Sequence, residues 1–88
     1  MPMNYMYVLK LNNGQLYIGF TGDLKKRVSE HKTGKVFTTR KYLPVSLIYY
    51  EGYLARSDAR HREFTLKSHG GGYRHLKERI KNSIKGGV

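Results

Sequence analysis

The chain reads as a small α+β domain: a three-stranded antiparallel sheet flanked by three helices, in the order β-β-α-β-α-α. Three observations predict this. Residues 5–11 and 15–20 are rich in strand formers and are joined by Asn12-Asn13-Gly14, a turn signal. A third such run, Val45-Ser46-Leu47-Ile48-Tyr49-Tyr50-Glu51, follows Pro44. Between and after these runs the apolar residues recur at helical spacing.

The loop between the first two strands decides which side chains share a face. A two-residue Asn13-Gly14 turn would pair Leu11 with Leu16 and send Tyr7 and Tyr17 to opposite faces. A three-residue loop with Gly14 left-handed pairs Leu11 with Gln15, Tyr7 with Gly19 and Tyr17 with Leu9. Tyr7 and Tyr17 are then diagonal neighbours on one face. We expect the three-residue loop, because shared chemistry between the tyrosines requires it.

Thr21-Gly22-Asp23 opens the first helix, with an acid in its first turn and Gly34 at its far end. Leu24 and Val28 form its apolar stripe, and Arg27 and His31, four apart, flank that stripe. Residues 35–43 read as a polar, basic loop able to touch phosphates. The second helix spans 55–68, with Ala55, Ala59 and Leu66 on one stripe and Glu63 at its edge. Gly70-Gly71-Gly72 reads as a helix breaker and not as a phosphate-binding loop. Tyr73, Leu76, Ile80 and Ile84 then mark a third helix. The expectation is one domain over 1–88, with its core at about 5–84 and a frayed tail over 85–88.

Composition narrows the function. Seventeen Lys+Arg against six Asp+Glu give a net charge of +11, a field that attracts polyanions, nucleic acid first among them. The chain has no cysteine, which removes thiolate zinc sites and fits a reducing compartment. No apolar run approaches the roughly 18 residues of a membrane span, and the N-terminus lacks the pattern of a secretory signal. Cytoplasmic location and no membrane partner are the expectations.

The ordered set of residues resembles the GIY-YIG nuclease family over roughly residues 5–84. Tyr5-Met6-Tyr7 stands where that family has its first tripeptide, and Tyr17-Ile18-Gly19 matches the second literally. Arg27-x-x-x-His31 resembles the Arg and His of the family's first helix, and Glu63 resembles its metal-binding glutamate. The short length is similar to that of small stand-alone bacterial members, which are related to the N-terminal nuclease domain found in bacterial excision repair. The first tripeptide lacks Gly and Ile, and Phe20 stands where excision-repair members tend to have lysine. His75 stands near a place where many members have asparagine.

The resemblance implies a divalent-metal-dependent endonuclease that hydrolyses DNA phosphodiester bonds and is directed by structure more than by sequence. Its site would comprise Tyr7, Tyr17, Arg27, His31 and Glu63, with Mg²⁺ (or Mn²⁺) held by Glu63 and waters. Tyr7 is the candidate general base, Tyr17 orients water or phosphate, and His31 acts instead of Tyr7 or shares its proton. Arg27 binds the scissile phosphate through its fork of donors. A tyrosine base needs its pKa brought down from about 10. Each residue also has a plainer reading: strand tyrosines packed on a sheet, Arg27 paired with Asp23 or Glu30, Glu63 paired with Lys67 at i,i+4. His61, His69 and His75 read as surface residues.

Lys35, Arg40, Lys41, Arg60, Lys67 and Arg74 are the candidate contacts to a nucleic-acid backbone. The expected partner is DNA, branched or nicked, with RNA open as an alternative. A targeting protein is open as a further partner. Two other classes compete with the nuclease: a nucleic-acid-binding module without turnover, and a basic RNA- or ribosome-associated protein.

Overall fold

The computed structural model describes residues 2–86. The chain runs β1 (Asn4–Lys10), β2 (Leu16–Thr21), α1 (Leu24–Lys32), a 3-10 turn (Arg40–Tyr42), β3 (Ser46–Tyr53), α2 (Arg56–Lys67), α3 (Gly71–Arg79) and α4 (Lys81–Gly86). The strands form one antiparallel sheet in the order β2-β1-β3. This is the α+β architecture expected from the sequence, with one helix more than expected.

The hairpin adopts the three-residue loop. The Leu11 N–H donates to the Gln15 carbonyl at 2.9 Å, and Gly14 has φ +86°. Tyr7 therefore faces Gly19 and Leu9 faces Tyr17. Side chains alternate along a strand, so this register divides the sheet into two faces. One carries Met6, Val8 and Ile18 against Leu66, Leu76 and Ile80 of the later helices. The other carries Tyr7, Leu9, Leu11 and Val45, with Tyr17, Leu24 and Leu47 packed on them.

A bulge keeps both faces filled. The β1–β3 register runs Val8↔Tyr49 and then Leu9↔Leu47, leaving Ile48 without an opposite number. Leu47 and Tyr49 would share a face in a regular strand. The extra residue sends Tyr49 to the Met6 face and Leu47 to the Tyr7 face.

The helix ends follow ordinary capping chemistry. The Asp23 carboxylate accepts the Lys26 N–H at 3.1 Å, so this acid is the N-cap itself and not a first-turn residue. At the far end Gly34, with φ +77°, donates to the His31 carbonyl, and Lys35 donates to that of Glu30. That double bond pattern is a Schellman cap. Ala55 is exposed and sits just outside α2, so the helix's buried residues are Ala59 and Leu66 without it.

Three expectations need correction. The third helix is broken at Ile80 (φ −110°, ψ 23°), whose N–H bonds to the Glu78 and Leu76 carbonyls. Leu76, Ile80 and Ile84 still reach the same core, so the apolar spacing reads straight through the bend. The bend turns α4 back onto β3. The glycine run is not a simple breaker either: Gly70 caps α3, and Gly71 and Gly72 form its first turn. Lys85 and Gly86 belong to α4 and not to a frayed tail, and 87–88 lie outside the described residues.

Candidate active site

The Tyr7 hydroxyl is the meeting point of the site. Tyr7 is 1% exposed at the centre of β1, and its oxygen lies 2.8 Å from His31 Nε2. The His31 imidazole is fully buried, delivered by the last turn of α1. Its ring meets those of Tyr7 and Tyr17 edge to face, at centroid distances of 5.6 and 5.1 Å. Tyr7 and Tyr17 are 6.4 Å apart, as the three-residue loop requires.

The glycine of the second tripeptide has a local physical role. A Cβ on Gly19 would stand 2.5 Å from the Tyr7 hydroxyl and 2.6 Å from its Cζ. The Tyr7 ring lies directly over this bare backbone, which any side chain would displace.

Arg27 and Glu63 complete the set differently. The Arg27 guanidinium bonds to Glu30 at 3.2 Å, and its charge acts on Tyr7. Glu63 comes from α2, and its charge is felt at Tyr7. Its carboxylate is mostly covered and forms an ion pair with Lys67 Nζ at 2.9 Å. The i,i+4 pairing that is the plain reading of Glu63 is thus present. It uses an exposed lysine that solvent can replace.

Both titratable groups at the centre are neutral near pH 7. Burial pushes Tyr7 up to about 12, against the lowering effect of the neighbouring Arg27. Burial, with the Arg27 charge, lowers His31 to about 4. The lowered tyrosine that a base requires is not a property of the ligand-free chain. It needs positive charge beyond Arg27.

A hydrated magnesium ion fits the donors present. Among the described residues no group of three His, Cys, Asp or Glu side chains converges on a point. Magnesium tolerates that, because it takes one or two carboxylates and keeps its waters. Glu63 is a carboxylate whose charge acts on Tyr7, while Glu30 is engaged by Arg27 and both His31 nitrogens are committed to other partners.

One buried partner has no counterpart among the sequence-derived candidates. Thr39, which reads from sequence as part of a basic loop, is fully buried, and its Oγ1 lies 2.8 Å from His31 Nδ1. Val36 anchors the same segment inward. A short buried residue flanked by exposed Phe37 and Arg40 gives no period for a sequence pattern to find.

The basic residues expected to contact a nucleic-acid backbone are all exposed. Arg40 lies over the Phe37 ring at 4.9 Å, and Lys67 is engaged by Glu63. Arg56 and Arg60 lie over the Phe20 ring at 5.1 and 5.8 Å. Phe20, Arg56, Lys26 and Arg27 line a groove of about 480 Å³, which leads basic and aromatic groups up to the site. A larger groove of about 980 Å³, lined by Tyr5, Leu24, Val28 and Leu47, is mostly apolar and holds none of the five site residues. His61, His69 and His75 are exposed. No helix among the described residues is long and apolar enough to cross a membrane.

Comparison with known proteins bears on the family of the chain. A model of the GIY-YIG catalytic domain matches residues 3–77. The chain is 44% identical over 64 residues to a UPF0213 protein of Streptococcus pneumoniae serotype 4, covering 72% of this chain and 65% of that relative, just under two thirds of its length. It is 37% identical over 70 residues to a UPF0213 protein of Staphylococcus epidermidis, covering 78% and 85% respectively. The solution NMR structure of a UPF0213 protein from Bacillus halodurans superposes with a TM-score of 0.56 at 25% identity, over 90% of this chain and 85% of that one.

Proposed function

We propose, for a chain that belongs to the GIY-YIG family, a divalent-metal-dependent endonuclease that hydrolyses DNA phosphodiester bonds and selects by structure, such as a nick, flap or branch, more than by sequence. The observation that carries this reading is the convergence on the Tyr7 hydroxyl. His31 lies at hydrogen-bond distance, and the charges of Arg27 from the same helix and of Glu63 from another act on Tyr7. Strand tyrosines that merely pack have no need of this company.

In the proposed reaction Tyr7 first gives its own proton to solvent, its phenolate oxygen then takes the proton of the attacking water, and the departing oxygen takes a proton from solvent. Arg27 binds the non-bridging phosphate oxygens and balances the charge that grows as the new P–O bond forms and the opposite one breaks. Tyr17, beside Tyr7 on the same face, orients the water or the phosphate. Glu63 would hold Mg²⁺ or Mn²⁺, which supplies Lewis acidity and positive charge at the phosphate. Lys35, Arg40, Lys41, Arg60, Lys67 and Arg74 contribute salt-sensitive attraction to the backbone, about 0.9 in log–log slope for each phosphate neutralised on duplex DNA. Nothing in this set reads base edges, so weak sequence preference is part of the proposal.

The test is cleavage of nicked, flapped and branched DNA, with matched RNA, at controlled Mg²⁺ or Mn²⁺. Cleavage should require the metal, favour DNA, and fall at least about 10²-fold in Glu63→Gln. Cleavage that persists in Glu63→Ala would remove Glu63 from the site. Tight binding by the wild type with no metal-dependent cleavage would make the chain a binding module, and a preference for RNA would move it to the RNA-associated class.

A further inference from the structure

We infer that Thr39 is a positioning residue: it holds the His31 imidazole in the Nε2–H tautomer, so that His31 donates to the Tyr7 oxygen and does not accept its proton. The inference about the tautomer rests on hydrogen-bond satisfaction alone; its consequence for rate rests on the nuclease reading above.

A neutral imidazole has one N–H and one bare nitrogen, and the partner on one side decides which is which. Thr39 Oγ1 and the His31 ring are both fully buried. Among the described residues, the hydrogen-bond partner of Thr39 Oγ1 is His31 Nδ1, at 2.8 Å. A hydroxyl carries one proton, and a buried one must be given to an acceptor. If Nδ1 bore a hydrogen, the Thr39 proton would face a donor and be left unpaired, the costly arrangement. With Nδ1 bare, the Thr39 hydroxyl donates to it, and the ring hydrogen sits on Nε2, facing the Tyr7 oxygen 2.8 Å away.

The consequence is specific. Arg27 has only donors to offer, and its positive charge favours an ionised Tyr7. The Tyr7 oxygen then receives a hydrogen bond from His31 with the Arg27 charge acting beside it, surroundings suited to a phenolate oxygen. Its own proton is turned away from His31, toward the face where substrate would lie. His31 stabilises a tyrosinate and is not itself the base. Thr39 acts through His31 and touches no reacting atom.

The tautomer is read directly by two-dimensional ¹⁵N–¹H correlation of the imidazole nitrogens in uniformly labelled protein at neutral pH. His31 should show the Nε2–H pattern in the wild type and in Thr39→Ser, which keeps the hydroxyl. In Thr39→Val the Nε2–H population should fall, with kcat reduced about tenfold at unchanged KM, and Thr39→Ser should restore kcat. A wild-type His31 in the Nδ1–H form, or a Thr39→Val protein with an unchanged tautomer, overturns the inference. Should Thr39→Val fail to fold, the wild-type and Thr39→Ser spectra decide alone. A chain that cleaves nothing yet shows the Nε2–H form would refute the nuclease reading and leave the tautomer assignment standing.

Discussion

Each face of the sheet carries a tyrosine whose pKa rises to about 12, and the two do different work. On one face Tyr7 meets His31 and Arg27. On the other, Tyr53 and Tyr49 both donate to the Glu51 carboxylate, which also accepts two hydrogen bonds from Arg62. Burial raises Tyr53, and its bond to Glu51 adds to the rise. Burial alone would raise Glu51 too, yet Arg62, Tyr53 and Tyr49 together hold it below the usual carboxylate range. A shifted tyrosine is therefore no mark of catalysis by itself. The Glu51 cluster is a carboxylate with its donors already supplied, a strap between β3 and α2. The Tyr7 cluster is neutral and still has an unfilled role for its own proton.

The comparison can be broken by the variant expected to have the largest effect. Tyr7→Phe should lower cleavage about 10³-fold, ~4 kcal/mol of barrier, while costing only about 1 kcal/mol of stability for the lost bond to His31. A variant that unfolds, or one that cleaves normally, would place Tyr7 with the strap tyrosines. The converse is Glu51→Ala, which strands Arg62 and two phenols. We expect about 3 kcal/mol of lost stability in urea unfolding, with the cleavage rate of the folded fraction unchanged. A rate that falls while stability holds would reverse the roles of the two faces.

Gly19→Ala sharpens the comparison on the active face. Its methyl group would strike the Tyr7 hydroxyl, so cleavage should drop about thirtyfold and stability by about 2 kcal/mol. An innocuous alanine would mean that Tyr7 moves freely and is not held for chemistry. The smallest effect is pH-dependent. The folded pKa of His31 is about 4, depressed by burial and then by Arg27, against about 6.5 unfolded. The unfolded chain takes up the proton first, so the His31 contribution is complete above pH 6.5 and is lost as pH falls toward 4. Between about pH 7 and 5 the loss should be on the order of 1–2 kcal/mol and absent in His31→Asn. Equal slopes in the two proteins would mean that His31 is not held neutral.

Much of the Tyr7 face was legible because it is local in sequence. Asn12-Asn13-Gly14 limits the hairpin to two registers, and the chain adopts the one that puts Tyr7 and Tyr17 on a shared face. The i,i+4 spacing puts Arg27 and His31 on one side of α1, and Asp23 and Gly34 bound that helix as its caps. The net charge of +11 points to a polyanion. These follow from turn chemistry, two short periods and a sum of charges, none of which depends on distant parts of the chain.

What only the tertiary structure decided involves groups brought together from distant segments. Thr39 lies inside a segment with no period, and only the packing of residues 36–39 on α1 turns it toward His31. The bulge at Ile48 exists because two cores must be filled at once, and the bend at Ile80 because α4 must return to β3. Burial is likewise a property of the assembled core. So the sequence by itself determined which side chains could share a face. The fold decided which of them lost their water, and desolvation is what separates the neutral Tyr7–His31 pair from the solvated charges around it.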